Sequence, residues 1–98
     1  MQTGYLPVSI KVFKEGTSKD VPYVAYSPEL DLSAAGKDST SAKVSLQEVI
    51  NFVLLKKAKE GDLYAYLKEL GFRRSKKGEE LTAPEVSFIQ VPFKIASL

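Results

Sequence analysis

After Ser39 the spacing of apolar residues in this 98-residue chain changes from two to three and four, and that change constrains the fold more than any other feature. Before it, Val8, Ile10 and Val12 alternate with Ser9, Lys11 and Phe13, the pattern of a strand. The polar stretch Gly16–Asp20 reads as a hairpin loop, and Val21–Tyr26 as the returning strand. Pro22 has no N–H to give to a ladder, so it belongs at the start of that strand or on an unpaired side. Ser27-Pro28 interrupts, and a third extended piece, Leu32–Ala35, leads to Gly36. Short connections make an antiparallel meander the economical arrangement.

After the change, Ala42, Leu46, Val49, Ile50, Val53 and Leu54 mark one face of a long amphipathic helix. Ser39 or Thr40 is its candidate cap; Ser45 with Glu48 as a capping box is the later alternative. The earlier start is preferred because Ala42 already fits the stripe. Lys56, Lys57 and Lys59 suit the negative end of the helix dipole, and Gly61 ends the helix. A second, shorter helix runs from Asp62 as cap to Leu70, with Leu63, Tyr66, Leu67 and Leu70 inward. Gly71 is placed to stop it in the left-handed conformation, with Phe72 folding back on Leu67. Arg73–Pro84 reads as a polar loop. A closing strand follows, with Ile89, Val91, Phe93 and Ile95 on one face and Phe88, Gln90 and Lys94 on the other; Pro92 makes it an edge strand. The order β-β-β-α-α-β is α+β, and residues 1–98 form a single domain.

Composition removes whole classes of chemistry. With no Cys and no His, disulfides, thiolate metal sites, Cys nucleophiles and imidazole bases are excluded. The acids Asp20, Glu29, Asp31, Asp38 and Glu48 fall mostly in loops, and Asp31 and Asp38 flank a strand. A two-metal nuclease needs carboxylates converging on ions about 4 Å apart, so these acids read as solvated turn residues. Ser27, Ser33 and Ser45 have no activating base, and Gly36-Lys37-Asp38-Ser39 lacks the upstream glycine of a phosphate-binding loop. The expectation is a protein that is not an enzyme and has no cofactor. No apolar run approaches the about 20 residues of a membrane span, and Met1–Pro7 lacks the features of a signal peptide. A cytoplasmic location without membrane association is expected.

Charge is concentrated in the middle. Residues 52–78 hold 8 basic and 3 acidic side chains, a net of +5, within a chain of net +2. Arg73, Arg74, Lys76 and Lys77 are its densest part and the candidate nucleic-acid patch, with Lys56, Lys57, Lys59 and Lys68 nearby and Tyr64, Tyr66 or Phe72 for stacking. Against this, a net charge of +2 is low for a dedicated nucleic-acid domain. A solvated loop for the run, and core or cap roles for the aromatics, is the favoured reading.

The stretch Tyr23-Val24-Ala25-Tyr26-Ser27-Pro28-Glu29-Leu30-Asp31-Leu32-Ser33-Ala34-Ala35-Gly36 resembles the signature of the HicB-like antitoxin domain. In that family a strand ends in an aromatic, and Pro-Asp/Glu-Leu, a short strand, a glycine turn and a long helix follow. Leu67-Lys68-Glu69-Leu70-Gly71-Phe72 resembles its second helix, and the closing strand agrees. The usual Gly-Asp-Thr stands here as Gly36-Lys37-Asp38-Ser39-Thr40, and the Glu-Glu-Ala after it is absent.

The resemblance implies a truncated RNase H-like unit without nuclease activity. It implies a module that blocks a small HicA-type ribonuclease toxin, or a solitary copy without one. The toxin is the implied partner, with homodimers or larger assemblies. Leu98 follows directly on the last strand, so no separate DNA-binding domain is expected. Such a module works by occlusion, with an interface of about 1,600 Å². The edge strand, through Phe88, Gln90, Pro92 and Lys94, is the candidate partner or oligomer edge. Acidic surface near Glu29, Asp31 and Asp38 would meet a basic toxin. The alternative function is a small nucleic-acid-binding domain using the basic 56–77 segment.

Overall fold

The computed structural model describes residues 4–15, 19–74 and 81–95. Strands β1 (Lys11–Lys14), β2 (Tyr23–Ser27) and β3 (Leu32–Gly36) form an antiparallel meander in the order β1-β2-β3. Ala25 pairs with Val12 on one side and Ala34 on the other. The sequence places the first strand too early: Val8 and Ile10 are half-buried against the core but lie outside the ladder. The second is shifted by a similar amount, since Val21 and Pro22 precede β2. Pro22 still serves the hairpin, because its carbonyl accepts from the Glu15 N–H at 2.6 Å. Between β2 and β3, Asp31 takes a left-handed conformation (φ 53°), which Asp tolerates better than most residues.

Helix α1 (Ser39–Lys59) packs on the sheet through Ala42, Leu46 and Ile50. Its cap is Asp38, whose Oδ1 accepts from the Ser41 N–H at 2.7 Å. The expected caps Ser39 and Thr40 both lie inside the helix. Asp38 wins because its extended backbone and short carboxylate satisfy an otherwise orphan N–H. Gly36 makes the close approach of α1 to β3 feasible. A Cβ there would collide with the backbone of Ser41 and Ala42. The amphipathic expectation is only half met. Val44, Phe52 and Leu55 stand exposed on the side away from the core.

Helix α2 (Leu63–Glu69) lies between two left-handed glycines. At the end of α1, the Gly61 N–H reaches the Ala58 carbonyl and the Asp62 N–H the Lys57 carbonyl. At the end of α2, the Gly71 N–H reaches Lys68 and the Phe72 N–H reaches Leu67. Both ends are Schellman motifs, which satisfy the last carbonyls of each helix. Leu67 and Phe72 complete the core with Ala25, Leu30, Ala42, Leu46 and Ile50. Each large apolar side chain there contributes about 1.5–3 kcal/mol by leaving water.

Two expectations fail beyond α2. The stretch read as a loop opens and closes as a small hairpin, β4 (Arg73–Arg74) with β5 (Leu81–Thr82), tied further by the Thr82 hydroxyl on the Arg73 carbonyl. The closing edge strand does not form. Residues 83–95 join no ladder, and Phe88, Gln90, Pro92 and Lys94 are all exposed. A strand needs a partner for its N–H and C=O groups, and none of the described strands lies beside this segment. The element order is therefore β-β-β-α-α followed by a two-residue hairpin and an unpaired arm.

Candidate functional site

Three places bring together the residues singled out above. The first is the β2–β3 turn. Glu29 is half-buried, and its carboxylate accepts from the Ser9 N–H at 2.8 Å, the Ser9 hydroxyl at 2.5 Å and the Ser27 hydroxyl at 3.3 Å. Burial pushes this carboxyl up, but the Ser9 and Ser27 hydrogen bonds outweigh it and hold the group below its usual range. Ser27 is fully buried and has this carboxylate as its partner. Next to it, the Tyr26 phenol donates to Asp31 Oδ1 at 2.8 Å, and that bond raises the phenol above its ordinary value. Glu29 therefore ties the segment before β1 to the turn. Its oxygens are committed to structure, as are those of Asp38 at the cap.

The second place is a cleft of about 520 Å³ where α2 meets the β4–β5 hairpin. Leu67, Phe72 and Leu81 form its apolar lining, and Lys68, Arg73 and Arg74 contribute cations. The Arg74 guanidinium lies 3.7 Å from the Tyr64 ring centroid, and Lys57 Nζ lies 5.2 Å from that of Tyr66. Arg73 and Arg74 thus stand where a basic patch was expected, while Lys76 and Lys77 lie outside the described residues. The aromatics do not form a free stacking platform. Arg74 covers a face of Tyr64, Lys57 lies over Tyr66, and Phe72 is buried.

The third place is the arm from Val86 to Ile95. Phe88 is 89% and Ile89 80% exposed, and Val86, Val91, Phe93 and Ile95 are exposed as well. A run of large apolar side chains in water marks an interaction site more often than chance exposure does. The sequence located this segment correctly as amphipathic but assigned it a neighbour it lacks.

Among the described residues, no group of three or more His, Cys, Asp or Glu side chains is arranged to hold a metal ion. No described helix is long and apolar enough to cross a membrane. Comparison with protein-family models, with curated proteins and with solved structures finds no match to this chain.

Proposed function

We propose that this protein is a non-catalytic binding module of the HicB-like antitoxin kind, acting in the cytoplasm on a small RNA-cleaving toxin of HicA type. The observation that carries the reading is the exposed apolar arm, Val86–Ile95. An extended segment with free backbone groups and alternating Ile, Val and Phe side chains binds by adding a strand to a partner. Each Phe brings about 150–250 Å² of buried area, so Phe88 and Phe93 anchor an interface of ordinary size. In this reading β1-β2-β3-α1 is the opening of an RNase H-like unit, and the module silences its partner by covering the RNA-binding surface. No side chain of the antitoxin needs to take part in bond chemistry.

The test pairs the purified protein with the product of the neighbouring small reading frame. Submicromolar binding by calorimetry, with loss of that product's RNA cleavage, is the expected result. Absence of binding sinks the proposal.

A further inference from the structure

The arm and the three-stranded sheet each lack what the other has. The sheet ends at β3, whose one ladder neighbour among the described residues is β2. Edge strands are ordinarily protected by charge or proline. β1 carries Lys11 and Lys14, but Leu32-Ser33-Ala34-Ala35-Gly36 carries neither charge nor proline. The arm, in turn, is a strand-forming sequence that lies in no sheet. Its own chain carries it away from the body: the radius of gyration is 16.8 Å, against about 13 Å for a compact chain of this length. The longest dimension is 54 Å. At the root of the arm, Pro84 sits against Gly71, close enough that a Cβ on Gly71 would meet its ring at 3.0 Å.

We propose that two copies of this chain exchange arms, with residues 88–95 of each adding as a fourth strand to the β3 edge of the other. Pro92 fixes how the arm pairs. In an extended strand the N–H groups of alternate residues point the same way, so Pro92, Gln90 and Lys94 face outward while Ile89, Val91 and Phe93 donate to β3. The side chains of Ile89, Val91, Phe93 and Ile95 then share one face and continue the buried side of the sheet, where Leu32 and Ala34 are half-buried beside α1. The new outer edge bears Pro92 and Lys94, which resist a further strand, so exchange closes at two copies and does not propagate. Two reciprocal arms, each with two Phe and three Ile or Val side chains, bring the contact to the about 1,200–2,000 Å² of a stable interface. The inference rests on the reading of the arm as a docking strand and is independent of the toxin's identity.

Sedimentation at about 100 μM tests it with the full chain. The expected mass is twice 10.8 kDa, falling to one copy in Val91→Asp/Phe93→Asp, with circular dichroism unchanged because both side chains are exposed within one chain. The chain has no cysteine, so Ala35→Cys/Val91→Cys treated with a short bismaleimide reports where the arm sits. A covalent dimer supports exchange; a covalent monomer shows the arm returning to its own sheet and overturns it. A monomeric wild-type protein, or a dimer that survives the Asp substitutions, also overturns it. Calorimetry with the toxin on the Asp variant separates the two proposals. Loss of the dimer with toxin binding intact leaves exchange standing and removes the arm from toxin recognition. A dimer unaffected by the substitutions defeats exchange whatever the titration gives.

Discussion

Gly36 and Ala42 are in direct backbone apposition. The end of β3 lies so near the first turn of α1 that a methyl group at 36 would enter the space of the Ala42 amide. No side chain can yield there, because the opposing atoms are main chain. Gly36→Ala should therefore cost about 1–3 kcal/mol by overpacking, read as a lower midpoint in urea. Gly61→Ala is the control. A Cβ at Gly61 meets nothing within 4 Å, and its cost is the left-handed conformation alone, about 1 kcal/mol.

Phe72 is 2% and Leu67 3% exposed, and the same pair closes the Schellman motif through the Phe72 N–H. Truncation to Ala at Phe72 removes the ring and leaves a cavity beneath α2. The expected loss is about 3–5 kcal/mol. Hydrogen exchange should show α2 opening before α1, since α2 has Leu67 as its one buried residue.

Acid should unfold the protein through Glu29 and Asp38. Both carboxyls are held below their ordinary values in the folded state, Glu29 against the opposing push of burial and Asp38 chiefly by the Ser41 N–H. A depressed folded value means that the stabilisation is present above the unfolded value and is lost as pH falls through the folded one. Thermal midpoints should hold near neutrality and decline from about pH 4 downward. In Glu29→Gln the midpoint at pH 7 should be lower and the acid decline shallower, which a pH series of melting curves checks.

Arg73→Ala/Arg74→Ala should change stability by less than about 0.5 kcal/mol, since both side chains are exposed. A single-stranded RNA should bind the wild type no tighter than about 10⁻⁴–10⁻⁶ M at physiological salt, the range of non-specific contact. Tyr64→Ala should leave that affinity unchanged because Arg74 already covers the ring. A dissociation constant in the nanomolar range, weakened by Tyr64→Ala, would instead favour a nucleic-acid function.

The parts of this fold legible in the sequence are those fixed by nearby residues. Gly71 announces its own left-handed turn, Phe72 and Leu67 sit at the spacing that such a turn brings together, and Ala42, Leu46 and Ile50 recur with the helical period. What could not be read depends on distant partners. Alternation at Ile89, Val91 and Phe93 records that a strand would suit the segment, but not whether a neighbour lies beside it. The Ser9–Glu29 tie joins positions 20 apart, and no local signal marks it. The Arg74–Tyr64 contact was likewise invisible, because the β4–β5 pairing that lifts Arg74 toward α2 spans a stretch that reads as polar loop. The cap at Asp38 was legible in kind, since the Gly36-Lys37-Asp38-Ser39-Thr40 run offers three capping residues and the choice among them rests on one backbone angle.

The paired glycine stops at Gly61 and Gly71 also clock α2. A helix anchored at one end can absorb a lost residue by unwinding at the other; one fixed at both ends cannot. Removing a single residue between these glycines turns everything beyond the gap by about 100°. Leu67 would swing out of the core, and Tyr64 and Tyr66 away from Arg74 and Lys57. This seven-residue helix should thus accept many exchanges of side chain and almost no change of length, behaving in evolution as a part of fixed pitch.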